Sequence, residues 1–129
     1  MAEPAGLRLL PLPGTLAVCR LEPTAAVPVW AEGGFTSVPR TKDELSVVCY
    51  ANRVPAEVRA VRDWKAWRVA GTLDFSMVGV LASLAGPLAK DGVSIFVIST
   101  FDTDYLLVRE PQAARAIASL RAAGIGVSD

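Results

Sequence analysis

Two groups in this chain have the types and spacing to hold a small zwitterion. The backbone amides of Ser76, Met77, Val78, Gly79 and Val80 open a predicted helix, where unpaired N–H groups and the positive end of the helix dipole favour a carboxylate. Gly79 has no Cβ, so a ligand could approach the backbone closely there. Asp104 lies beyond the next strand, and its carboxylate suits an ammonium or guanidinium ion. Each group also has an ordinary structural reading. Asp74 and Ser76 can cap helix amides while Gly79 lets the helix pack against a strand, and Asp104 can shape a tight hairpin with Asp102. The aromatic residues Trp64, Trp67, Phe75, Phe96 and Phe101 read as core rather than as a cage around a cation.

Other chemistry lacks its usual parts. The 129-residue chain contains no histidine, the commonest general acid-base group, and no GxSxG elbow, P-loop or HExxH helix. Cys19 and Cys49 lie far apart, form no CxxC pair and match no zinc spacing, so they read as two packed thiols. Neither catalysis, nor a metal ion, nor a cofactor is expected. Formal charge sums to zero and the arginines are scattered, which argues against nucleic acid as a partner. The start of the chain has no basic segment before its apolar stretch, and the uncharged run 75–89 is shorter than the roughly 20 residues of a spanning helix and contains Gly79, Gly86 and Pro87. Neither a secretory leader nor a membrane partner is expected, and the default location is the cytoplasm.

Hydrophobic spacing supplies the elements that must position these groups. Residues 64–70 alternate like a strand, and the turn 71–74 leads into a helix with Ser76 as its N-cap. Met77, Leu81, Leu84 and Leu88 form its apolar stripe, and Gly86-Pro87 predicts a kink or an early end near residue 85. Residues 93–99 form a strand apolar on both faces, 101–103 a turn and 104–109 a hairpin partner. Pro111 then opens a helix with a stripe of Ala113, Ala116, Ile117 and Leu120 that stops at Gly124, and 125–127 form a last short strand. The order β, α, β, β, α, β describes an α+β fold with an antiparallel sheet and two helices on one face.

The part before Trp64 is less regular. Strands are expected at 7–12, 16–21, 35–39 and 45–50, with a helical turn near 29–32. It reads as a degenerate copy of the same unit, with the first helix reduced and the second missing or replaced by 56–62.

The run Gly79-Val80-Leu81-Ala82, followed by Gly92-Val93-Ser94-Ile95, resembles the ACT domain, a small regulatory ligand-binding unit of amino-acid metabolism. The segments Ile98-Ser99-Thr100-Phe101-Asp102-Thr103-Asp104-Tyr105-Leu106-Leu107-Val108 and Thr41-Lys42-Asp43-Glu44-Leu45-Ser46-Val47-Val48 are similar to the CASTOR-type ACT proteins, which include animal arginine sensors and small bacterial proteins of two fused units. The resemblance implies tandem ferredoxin-like ACT units, here 1–63 and 64–129. It also implies a ligand held between two units by the helix-start loop and the strand-end turn. By position this adds Phe101 to Ser76, Met77, Val78, Gly79, Val80 and Asp104. The implied protein is a non-catalytic, regulatory binder or sensor of an amino acid or similar metabolite. It is expected to be a homodimer that acts on an unknown regulated protein. The alternative is an ACT dimerisation or protein-interaction module that has lost its ligand.

Overall fold

The computed structural model describes residues 6–71 and 79–129. The chain divides into two compact units, one of Met1–Pro13 with Lys65–Asp129, the other of Gly14–Trp64.

In the larger unit, β1 (Arg8–Pro11) pairs antiparallel with the later part of β5 (Ala60–Val69), bringing Leu9 opposite Val69. After β5 come α1 (Val80–Lys90), β6 (Ile95–Ser99), β7 (Asp104–Arg109), α2 (Ala113–Ala122) and β8 (Gly126–Val127). The strand order is β6-β7-β5-β1-β8. Two expectations change here. The first strand of the chain lies between β5 and β8, in the sheet of the C-terminal part. Its pairing with β8 is parallel, so the sheet is antiparallel-rich rather than wholly antiparallel. A sequence pattern can mark a strand, but it cannot name the neighbours that strand will pair with.

Both helices press onto one core, in which Leu9, Leu84, Leu88, Val108 and Leu120 are almost wholly removed from solvent. The α1 stripe is Val80, Leu84 and Leu88; Leu81, expected in it, is 42% exposed. The helix also runs through Pro87 to Lys90 without the expected early end. Burying Leu84 and Leu88 on either side of the proline contributes about 1.5–3 kcal/mol each, enough to offset a proline penalty of about 3 kcal/mol. The last turn closes with Val93 N–H donating to Leu88 C=O at 2.8 Å, across Gly92 at φ 75°.

The smaller unit pairs β3 (Thr36–Ser37) with β4 (Leu45–Tyr50), β4 with β2 (Leu16–Leu21), and β2 with the first residues of β5. Its core holds Ala17, Cys19, Leu45, Val47, Cys49 and Val54. Cys19 and Cys49 are buried free thiols, diagonal to one another because Cys19 faces Val47 and Cys49 faces Ala17. Burial above all, with Cys49 adding to it against an opposing Arg62, pushes the Cys19 thiol up to about 11. Burial also raises the Cys49 thiol. Of the two alternatives for the second helix, missing or replaced by 56–62, no helix forms at 56–62; turns give way to β5 at Ala60, and 29–30 is a simple turn.

One stretch of each unit follows the same local path. In both, a threonine closes a four-residue turn: Thr41 N–H donates to Glu44 C=O at 2.9 Å, and Thr100 N–H to Thr103 C=O at 2.8 Å. In both, its hydroxyl also accepts from the fourth residue's N–H, at 3.2 and 3.3 Å. A six-residue strand follows, then a single 3₁₀ turn, at Ala51–Arg53 and Glu110–Gln112. The residues before those turns, Tyr50 (φ −61°, ψ 133°) and Arg109 (φ −59°, ψ 139°), match closely. The paths part at Val54 and Ala113. Val54 is extended (ψ 122°) while Ala113 is helical (ψ −45°) and continues into α2. Pro55 follows Val54, and a proline disfavours the helical conformation of the residue before it.

Candidate functional site

In the chain, the candidate residues follow the end of β5. Val69 is its last residue, and the chain leaves through Ala70 and Gly71 at φ 84°. Ser76, Met77 and Val78 lie outside the described residues, and so does the expected cap at Ser76. The chain re-enters at Gly79, whose φ of 80° places it in the left-handed region at the N-cap position of α1, with no side-chain cap bond. That conformation, rather than close packing, is what calls for glycine: among the described residues a Cβ there would meet nothing within 4 Å. Gly79 C=O accepts from Ser83 N–H at 2.8 Å, which leaves the amides of the first helical turn without intrahelical acceptors.

The second wall is the end of the β6–β7 hairpin. Asp104 pairs across the strands with Ser99, whose hydroxyl donates to Asp104 Oδ1 at 2.6 Å. Side chains alternate along a strand, so Asp104 shares a face with Leu106 and Val108, the face that carries the core under the helices. Its carboxylate therefore stands on the helix side of the sheet, at the end of the strand. Phe101, read as core, is 79% exposed at the turn. Of the described candidates, Gly79 and Phe101 are exposed and Asp104 is half-buried, all in the larger unit, whereas Val80 is a buried core residue.

Sequence reasoning missed Thr103. It is buried, 4% exposed, and its hydroxyl donates to Val69 C=O at 2.8 Å, which ties the hairpin end to the end of β5. The one signal for it was a threonine between two aspartates in a turn, and turns are usually solvated.

A separate groove of about 330 Å³ lies between the far ends of the helices, lined by Gly86, Pro87, Lys90, Asp91, Ser119, Ala122 and Ala123. It is at the opposite end of α1 from Gly79. Among the described residues no group of three or more histidine, cysteine or acidic residues could hold a metal ion, and no helix is long and apolar enough to cross a membrane.

Residues 59–122 match the ACT domain model, and a second model, described as an N-terminal domain, matches residues 14–57. The crystal structure of protein Atu0741 from Agrobacterium tumefaciens superposes with a TM-score of 0.90 at 39% identity, covering 95% of this chain and 92% of that one. The chain belongs to the family of that protein, and its residues 59–122 are an ACT domain. Over 55 residues, 42% of this chain, it is 42% identical to the rat "cytosolic arginine sensor for mTORC1 subunit 1". That match spans 17% of the rat protein's length. Clostridium acetobutylicum aspartate kinase has a TM-score of 0.63 at 13% identity, over 85% of this chain and 32% of that one, a likeness of fold alone. The ACT domain supplies every described site residue: Gly79, Val80, Phe101, Thr103 and Asp104 all fall within 59–122.

Proposed function

We propose that this protein binds a free amino acid without transforming it and, through that binding, regulates another protein. The observations that carry the reading lie within one ACT domain: a helix start at Gly79, where the N-cap residue itself offers no side-chain cap, and the serine-held carboxylate of Asp104 on the helix side of the sheet. A ligand carboxylate would meet the amides of Gly79 and Val80, with Ser76, Met77 and Val78 assigned to the same wall from sequence. A ligand cation would meet Asp104, and Phe101 would cover it. Arginine is the first candidate because the rat relative is named an arginine sensor.

The 14–64 unit is read as a reduced second ACT-like unit. Its turn, strand and 3₁₀ turn stand 59 positions before their counterparts, as Thr41 and Thr100, Leu45 and Asp104, and Tyr50 and Arg109 illustrate. Leu45 at the position of Asp104 gives it no equivalent cation-binding carboxylate. A homodimer in the cytoplasm completes the proposal. β6 is an edge strand of its unit with half-buried apolar residues on both faces, a surface that a second copy could cover.

A thermal-shift screen of the free amino acids, followed by calorimetry, tests the reading. A ligand at about 100 times its dissociation constant adds about 2.7 kcal/mol of stability. No stabilisation by any amino acid would leave the second reading, a protein-interaction module, which the exposure of Phe101 and Leu81 favours.

A further inference from the structure

We infer that Thr103 is the positioning residue of this site: its buried hydroxyl joins the 99–104 hairpin end to the end of β5, so that the Asp104 carboxylate is held in place against that strand. The backbone of Thr103 is already committed to the turn, its N–H donating to Thr100 Oγ1 at 3.3 Å and its C=O accepting from Thr100 N–H at 2.8 Å. The side chain is what remains to reach β5, and it does so at 2.8 Å with 4% exposure. The receiving segment is anchored from its other side as well, since Ala70 N–H donates to Arg8 C=O at 2.8 Å. The chain that leads to the helix start therefore departs from a point clamped between β1 and the hairpin, one residue before Gly71 turns it away. Asp104, next to Thr103, faces the helix side.

The corresponding turn of the smaller unit shows that the turn itself does not require this bond. There Glu44 occupies the place of Thr103, and its carboxylate accepts from the Ser46 hydroxyl at 2.9 Å within its own strand. The same backbone path forms without a bond from its fourth residue's side chain to the neighbouring strand; there Arg20 of β2 donates to Asp43 C=O at 3.2 Å instead.

The coupling is independent of any ligand, whereas its use for positioning rests on the amino-acid reading above. The experiment compares wild type, Thr103→Val, which removes the hydroxyl at nearly constant volume, and Thr103→Ser, which keeps it. Hydrogen exchange of the free proteins is followed in segments 66–71 and 98–106, with α2 and β4 as references. The expected result for Thr103→Val is faster exchange in both segments by about two- to tenfold, the worth of one hydrogen bond, with the references unchanged and Thr103→Ser like wild type. A change confined to one segment, no change, or a uniform rise that includes α2 overturns the coupling. Calorimetry with L-arginine then separates the two claims. If wild type binds, Thr103→Val should bind about two- to tenfold more weakly and Thr103→Ser nearly as well; equal affinities overturn the positioning role. If wild type gives no heat with L-arginine, the arginine reading fails, and the exchange result still decides the coupling.

Discussion

Replacing Asp104 with asparagine removes one charge and almost no volume from the candidate site. In the protein, Asp104 Oδ1 takes the Ser99 hydroxyl at 2.6 Å, a short bond of the kind formed to an ionised acceptor. Asparagine keeps an acceptor at that position, so Ser99 can still donate, and the loss is the charge-assisted share of one bond on a half-exposed pair. The cost to the fold should stay below about 1 kcal/mol, a shift in melting temperature of a few degrees for a chain of this size. Ligand binding is affected differently. A hydrogen bond from an ammonium or guanidinium group to a carboxylate is worth about 1.5–3 kcal/mol, which at about 1.4 kcal/mol per decade is a ten- to hundredfold loss of affinity. Calorimetry with L-arginine, run beside thermal melts of both proteins, separates the two effects. If Asp104→Asn lowers the melting temperature by many degrees and binds L-arginine within twofold of wild type, Asp104 is a turn residue and the cation wall has been misplaced.

The two glycines of the α1 region should respond in opposite directions. Gly79→Ala forces a side chain into φ 80° and should cost about 1–2 kcal/mol although the space is open, whereas Gly86→Ala fills open space inside the helix and should stabilise by about 0.5–1 kcal/mol, both read from denaturant melts. Gly79→Val should for the same reason lose stability as well as ligand affinity, so calorimetry on that variant requires a folded sample verified by circular dichroism. The thiol of Cys19 is pushed up to about 11 from an ordinary value of 9.0, so it favours the folded state fully below about pH 9 and loses that contribution as pH rises from 9 towards 11. Denaturation between pH 8 and 10.5 should therefore show a steeper fall for wild type than for Cys19→Ala, and a thiol reagent at pH 8 should react with neither cysteine faster than the protein opens. Leu9→Ala should cost about 2–5 kcal/mol, the usual range for a buried leucine, because Leu9 is fully buried in the core of the larger unit; a loss under 1 kcal/mol would show that β1 is dispensable there.

Local patterns carried much of the ACT domain into view from sequence. β7 begins and ends where alternation placed it, at Asp104 and Arg109, because a strand between two strong turn signals has little freedom of register. Gly124 stops its helix as read, since it takes the left-handed conformation that glycine adopts without penalty. The proposal of Gly79 and Asp104 as site residues rests on residue type and order as well. What failed were statements that depend on distant partners. Pro87 breaks an isolated helix but not one whose neighbouring leucines are buried. Leu81 and Val80 compete for the same stripe, and the core selected Val80. Phe101 looks like core until the hairpin places it at an exposed turn. The parallel pairing of β1 with β8 joins residues more than a hundred positions apart, and no local pattern encodes it. Thr103 belongs with these: a threonine in a turn is unremarkable in sequence, and it becomes a link between the hairpin end and β5 only because tertiary structure brings the Val69 carbonyl within reach of its hydroxyl. Sequence determines which residues can supply a charge, a turn or a cap, because those are properties of a few adjacent residues. Which of them share a site is decided by packing, since the free energy of burial depends on neighbours that the chain brings together only on folding.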